Sequence, residues 1–526
     1  MFLSLRDEFQ SIFENEFQIF LFENDLKAII PETFLVVSSL LLLIYGVILS
    51  ASKDNKYPIL IENVSRLAQI SLFFTMLLFK NSALTKGIVL YNSLVLDDWA
   101  FFLKIMLLGG AFFSILISID YVQQEGLNSF ELIILIMLST ASMLFLISAA
   151  DFISMYLAIE LQSLCFYVMA ALKRNSEFST EAGLKYFLLG AFSSGILLFG
   201  CSLIYGFTGV TNFSEIAKIF TCGAEELIFG GWSLRGCELG MVFILVGFLF
   251  KITAVPFHMW APDVYEGAPT AVTAFFSITP KIAVLAVFVR LFFESFYDFM
   301  LPWQKIVIFC SIASMIWGAL AAMSQNKIKR LLAFSSIGHV GYLLVGFCCG
   351  TVEGIQALLI YLSIYVIMTI NLFAIVLSPL RRETGGFAQE GETQVQRIKY
   401  TTDLAMLSKT NPILAITLTV TMFSIAGIPP LAGFYSKAFL MFAAMSASQY
   451  LLAIVAVLTS VVSCFYYIRI VKIMYFESPL NWLTFLQLSK ETSVALGLTF
   501  CFLVCFFLYP APLFLATHKV ALSLCF

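Results

Sequence analysis

Apolar runs of about twenty residues recur along the whole chain, separated by short polar stretches. A helix rising 1.5 Å per residue needs about that length to cross a hydrocarbon core of about 30 Å. The pattern predicts fourteen membrane helices, near 31–50, 65–84, 99–119, 131–149, 152–172, 182–206, 238–260, 269–293, 304–323, 330–350, 354–378, 411–444, 449–474 and 494–516. The second is the shortest in its apolar core, since Lys80 and Lys86 close it. The fold class expected is therefore an all-α polytopic membrane protein.

Two runs are interrupted. In the seventh, Pro256 follows Lys251 by five residues, and His258, Pro262, Asp263, Glu266 and Pro269 crowd into the next stretch. In the twelfth, Gly427, Pro429, Pro430 and Gly433 precede Lys437. Proline removes a backbone donor and breaks a helix. A break at membrane depth is tolerated only where the backbone is buried in protein or meets water. Both are predicted as discontinuous helices. They lie five helices apart, so pairing helices four to eight (131–293) with nine to thirteen (304–474) gives a repeat. An offset of five reverses orientation, which makes the repeat inverted.

The first thirty residues differ from the rest. Asp7, Glu8, Glu14, Glu16, Glu23 and Asp25 alternate with Phe9, Ile12, Phe13, Phe17, Phe20 and Leu21 at near-helical spacing. This predicts an amphipathic surface segment over 1–30 and lacks the Arg-rich, acid-poor character of a transit peptide. The transmembrane domain is expected over 31–516 and a tail over 517–526. The one long polar linker spans 379–410. Basic residues favour the odd-numbered junctions, sixteen against nine, so both termini are expected on the side opposite the positive one.

Composition excludes several functions. With 60% hydrophobic and 12% charged residues and a net charge of −3, no soluble domain and no nucleic-acid surface is expected. The eleven cysteines form no CxxC or Cys/His set with metal spacing, and no GxGxxG follows a strand, so no metal or other cofactor is expected on this chain.

What remains is a set of charges at membrane depth, where they are costly and mark ion or proton paths. Glu160 lies about nine residues past Asp151, near mid-bilayer, and must be paired or protonated. Lys185, in the next helix, is its expected partner. Lys251 and Lys281 share a helical hairpin, and His339 lies beside Ser335, Ser336 and Gly338. Lys437 completes a row that could pass protons along the membrane plane. Lys104 reads as a snorkelling anchor. With no nucleotide or redox motif to drive it, the chain is expected to depend on partner subunits.

The runs AIELQSLCFYVMAALKRNSEFSTEAGLKYFLLGAFSSGILLFG, GFLFKITAVPFHMWAPDVYEGAPT, KRLLAFSSIGHVGYLLVGF and FSIAGIPPLAGFYSKAFL resemble the chain 2 family of mitochondrial NADH–ubiquinone oxidoreductases. These are antiporter-like membrane subunits of respiratory complex I, and the likeness is to the plant-type form over roughly 31–475. The resemblance implies fourteen helices with an inverted five-helix repeat. It implies that Glu160, Lys185, Lys251, Lys281 and Lys437 match the proton-path carboxylate and lysines, with His339 between half-channels. It implies no cofactor on this chain, membrane-arm subunits and lipids as partners, and the mitochondrial inner membrane as location. The acidic 1–30 segment and the 381–400 linker depart from the family pattern. The alternative is a stand-alone cation/proton antiporter of the related class; a plastid relative shares the fold.

Overall fold

The computed structural model describes residues 2–50, 60–81, 87–125, 130–222, 231–378, 380–382, 395–478, 483–485 and 488–525. Three helices come first: α1 (Phe2–Ser50), α2 (Ile61–Asn81) and α3 (Asp98–Gln124). A hairpin of β1 (Gly87–Val89) and β2 (Leu94–Leu96) joins α2 to α3. A second group holds α4 (Glu131–Ser148), α5 (Phe152–Ala170), α6 (Glu177–Thr208), the short α7 (Phe213–Cys222), α8 (Gly231–Ile252), α9 (Trp260–Gly267) and α10 (Thr270–Glu294).

The third group begins with α11 (Met300–Met323), α12 (Ile328–Cys348) and α13 (Val352–Val376). Strand β3 (Leu380–Arg382) then pairs with β4 (Val395–Gln396) and β5 (Leu483–Phe485). After α14 (Leu407–Thr410) come α15 (Pro412–Ala426), α16 (Ala432–Ser446) and α17 (Tyr450–Phe476), and the chain closes with α18 (Lys490–Cys505) and α19 (Ala511–Cys525).

Among the described residues, ten helices are long and apolar enough to cross a membrane. The predicted interruptions are real gaps. One separates α8 from α9 at residues 253–259; the other separates α15 from α16 at 427–431. Ends are set by local chemistry. Asp97 caps α3 through Ala100 N–H, Ser176 caps α6 through Ser179 N–H, and Thr351 caps α13 through Gly354 N–H, each satisfying a donor that the first turn leaves free.

The centre of the molecule is α10, which packs on α3, α4, α8, α12 and α13. Its apolar window is wholly enclosed by protein, whereas α5, α6, α11 and α17 present outward rows such as Leu157, Leu161, Leu164 and Val168. Lipid tails are as apolar as leucine, so helix association here rests on close packing. A Cβ on Gly200 would lie 2.8 Å from the Gly240 carbonyl oxygen, and one on Gly318 2.7 Å from the Gly338 nitrogen. These contacts draw α6 onto α8 and α11 onto α12.

Three expected boundaries move. No helix end falls at residue 31: α1 runs unbroken through Pro31. The side chains of residues 2–24, which carry the amphipathic pattern, lie outside those described. The last predicted helix, 494–516, is two helices, because Pro510 ends the path of α18 and α19 restarts at Ala511. The expected tail 517–526 therefore lies largely within α19. Most of the polar linker, residues 383–394, is outside the described residues.

Candidate functional site

The first half of the site is built by α5, α6 and the broken helix α8–α9. Glu160 sits on α5 with Oε1 enclosed and without a hydrogen-bond partner. Its Oε2 accepts from Ser163, one turn on, at 3.4 Å. Lys251 occupies the last turn of α8, beside the gap, and its Nζ donates to Ser194 on α6 at 3.2 Å. Glu160 is near enough to act electrostatically on that ammonium. At the gap the chain turns on Thr253, whose φ is 73°, and Trp260 Nε1 donates to the Phe250 carbonyl at 3.1 Å. The Phe250 carbonyl also accepts from Thr253 N–H at 3.1 Å, so backbone and side chain together hold it at the break.

Lys185 does not join Glu160. It is 44% exposed and pairs with Glu181 at 2.7 Å and with Asp263 on α9 at 3.0 Å. Asp263 also holds Arg330 at 2.8 Å, and Glu266 holds Arg330 and Lys327. The predicted Glu160–Lys185 pair is replaced by a network at the ends of α6, α9 and α12. The physical reason is depth. Lys185 sits in the polar end of α6, eight residues from Glu177, where carboxylates and water solvate it better than one buried acid.

A cavity of about 30 Å³ joins the two central lysines. It is lined by Gln162, Ser163, Tyr186, Lys251, Tyr265 and Lys281, among others. That is room for one or two waters, with several polar partners in reach. Lys281 on α10 is buried; its Nζ donates to Tyr365 Oη at 2.9 Å and lies 4.9 Å from that ring's centre. The same ammonium faces the Ser336 carbonyl at 3.5 Å.

Beyond Lys281 the row continues through hydroxyls. Tyr265 lines both the first cavity and a second, of about 20 Å³, shared with Ser335, Ser336, His339 and Tyr365. His339 Nδ1 lies 2.6 Å from Tyr361 Oη, and Tyr467 Oη 3.4 Å from Nε2. A third cavity, about 10 Å³, holds His339, Tyr342, Tyr467 and Lys437. Lys437 Nζ donates to the Ala426 carbonyl at 2.9 Å and lies 5.1 Å from the Tyr342 ring centre. Tyr265, Tyr361, Tyr365, Tyr342 and Tyr467 do not stand out in the sequence. The only available signal is hydroxyl-bearing rings within apolar helices, such as Tyr361 and Tyr365 one turn apart on α13.

Lys104 is not a snorkelling anchor. It is 1% exposed and bonds Glu32 on α1 at 2.5 Å. The partner lies 72 positions away in sequence, just after Pro31, in a stretch whose pattern reads as a helix boundary. Likewise Arg290, 1% exposed, donates to both oxygens of Asp97 at 2.9 Å.

Among the described residues no group of three or more His, Cys, Asp and Glu could hold a metal ion. The family model described as NADH:quinone oxidoreductase/Mrp antiporter, TM, matches residues 149–463, a span containing every residue of the row. NADH-ubiquinone oxidoreductase chain 2 of Marchantia polymorpha is 61% identical over 96% of this chain and all of that protein. The Arabidopsis thaliana protein of the same name is 54% identical over 99% of this chain and all of its own length. Among solved structures, a chain of the Thermus thermophilus respiratory complex I superposes with a TM-score of 0.74 at 27% identity, covering 92% of this chain and 98% of that one. A chain of the Mrp complex from Dietzia shares the fold, with a TM-score of 0.76 at 20% identity over 95% of this chain and 98% of its own.

Proposed function

Because the chain belongs to the family of NADH-ubiquinone oxidoreductase chain 2 subunits, we propose that its buried row of titratable groups carries protons. The chain is an antiporter-like membrane-arm subunit of the proton-translocating NADH:ubiquinone oxidoreductase, not a stand-alone antiporter. It works inside a hetero-oligomer in the mitochondrial inner membrane and crosses that membrane several times.

The reading assigns Glu160, Lys251, Lys281, His339 and Lys437 to the path, with Lys185 at its basic end. The observation that carries it is the sharing of lining residues. Tyr265 belongs to the first two cavities, and Ser335 and His339 to the last two. A proton reaching neutral Lys251 passes by way of water to Lys281, then through Tyr365 and Tyr265 hydroxyls to the His339 cavity, and on to Lys437. Each buried cation is costly when unpaired, so only some of the row is charged at once. Moving a charge at Glu160 shifts the balance at Lys251, and the shift passes along. Partner subunits supply that movement. Flavin, iron–sulfur clusters and quinone are read as belonging to them. Fourteen crossings in an inverted repeat, with both termini facing the intermembrane space, complete the reading.

The test is an experimental structure of the assembled complex at a resolution that shows water. Ordered water between Lys251 and Lys281, and again around His339, is expected. Dry cavities in both places would contradict the path.

A further inference from the structure

The row needs a supply of protons, and a large opening in the described structure lies beside it. A groove of about 1120 Å³ runs along the ends of α5 and α6. Its walls include Glu125, Lys173, Arg174, Thr180 and Tyr167. Lys173 pairs with Glu125 at 2.9 Å, and Arg397 reaches the same carboxylate, so one wall of the groove is polar, while Val168, Leu184 and Phe187 line the rest.

Between this groove and the first cavity stand two rings. Tyr167 lines the groove, and Tyr186 lines the cavity of Lys251 and Lys281. They meet edge to face with centroids 4.9 Å apart. Tyr167 is only 8% exposed, and its buried hydroxyl makes no hydrogen bond. An enclosed hydroxyl without a partner is uncommon and costs free energy unless water or function satisfies it. The hydroxyls of Ser163 and Ser194 stand next to it. Ser163 is the residue that bonds Glu160, and Ser194 is the residue that bonds Lys251. Helical spacing produces this: 160, 163 and 167 share one face of α5, and 190 and 194 one face of α6.

We propose that Tyr167 is the relay through which protons from water in the groove reach Lys251. When water from the groove penetrates to the enclosed hydroxyl, a hydronium ion gives a proton to the Tyr167 oxygen, forming one O–H bond and leaving water. The original O–H bond breaks as its proton passes by way of Ser163 or Ser194 to neutral Lys251 or ionised Glu160. The tyrosine ends neutral, and rotation of the hydroxyl resets it. This rests on Lys251 being part of the path.

Gly190 supplies the experiment. A Cβ there would lie 2.2 Å from the Tyr167 oxygen, so Gly190→Ala displaces the hydroxyl without replacing a titratable residue. Tyr167→Phe removes it outright. Pumping by the assembled complex in vesicles, at matched complex content, should fall about tenfold or more in each. In the double variant the added methyl still meets ring carbons Cε1 and Cζ at 2.8 Å, so the deciding comparison is Tyr167→Phe, which keeps the ring and loses only the hydroxyl. If the role were packing alone, Tyr167→Phe would pump normally at matched complex content, and the proposal would be overturned. Lys251→Met is measured alongside. Normal pumping in Tyr167→Phe with loss in Lys251→Met overturns the relay only; normal pumping in both overturns the path on which it rests.

Discussion

Lys437 donates to the carbonyl of Ala426, the residue that ends α15, at 2.9 Å. The break and the lysine are one device. Gly427 adopts φ 88° and its side of the chain leaves helical geometry, while Pro429 and Pro430 offer no N–H to the carbonyls of the preceding turn. The freed acceptor at Ala426 holds the ammonium at the edge of the third cavity. Replacing both prolines with alanine should let the helix close, take Ala426 back into backbone bonding and release Lys437. Pumping per NADH oxidised should fall several-fold although no charge is removed. An unchanged ratio would mean that Lys437 does not depend on the break.

The Lys104–Glu32 pair predicts a separation of stability from transport. Both groups are nearly sealed from solvent, and Glu32 Oε2 has no second partner. Lys104→Met alone leaves a buried unpaired carboxyl and should cost about 3–5 kcal/mol. The yield of assembled complex and its melting temperature would report this. Adding Glu32→Leu should recover most of the loss, since a buried pair and a well-packed apolar replacement are close in free energy. Pumping per complex should stay near wild type throughout. Failure of the second change to restore stability would assign the pair a function beyond holding α1 on α3.

Lys185 and Lys251 should behave differently on neutralisation, despite their similar look in sequence. Lys185 is partly solvated and spread over Glu181 and Asp263, a geometry in which solvent screens each pair and leaves it weak. Lys185→Met should lower pumping no more than about threefold, against near-complete loss in Lys251→Met. Exchanging Glu160 and Lys185 should rescue nothing, because the two do not meet. A rescue in that double-variant cycle would show that they pair during turnover.

Glu125, at the end of α3, gives a pH signature outside the membrane. Burial pushes its carboxyl up from the ordinary 4.5, but the hydrogen bond and charge of Lys173, with Arg397, outweigh that and hold it below. A depressed carboxylate contributes stability that is fully present above its unfolded value and lost as pH falls through the folded one. Hydrogen exchange at the 173–176 turn, corrected for its intrinsic pH dependence, should therefore be flat from neutral pH down to about 5 and rise only below the ordinary 4.5. In Glu125→Gln it should be faster at neutral pH and show no further rise from this group on acidification.

Much of this was legible in the sequence, for physical reasons that differ by feature. Runs of twenty apolar residues have few alternatives to crossing a membrane, and proline inside them has few alternatives to a break. Depth along a helix follows from counting residues, which placed Lys251, Lys281, His339 and Lys437 in the interior. What counting cannot give is rotation and partner. Lys185 faces Asp263, 78 positions on, and Lys104 faces Glu32, 72 positions back; neither distance leaves a local trace. Nor does a tyrosine in an apolar helix announce whether its hydroxyl is tied or waiting. Tyr365, Tyr361 and Tyr467 became visible only when α12, α13 and α17 were placed around His339. The boundary expected at residue 31 is absent because one proline within a long helix is tolerated once the neighbouring packing is strong.

The central claim is that protons pass through this chain by way of its buried lysines, and Lys281 is its most exposed test. It is buried, has no acidic partner among the described ion pairs, and stands where the first cavity meets Tyr365 and Ser336. The measurement is protons translocated per NADH oxidised in vesicles carrying the Lys281→Met complex, at matched content of assembled complex. The account predicts that the ratio falls clearly below wild type. A wild-type ratio at a wild-type oxidation rate would contradict it.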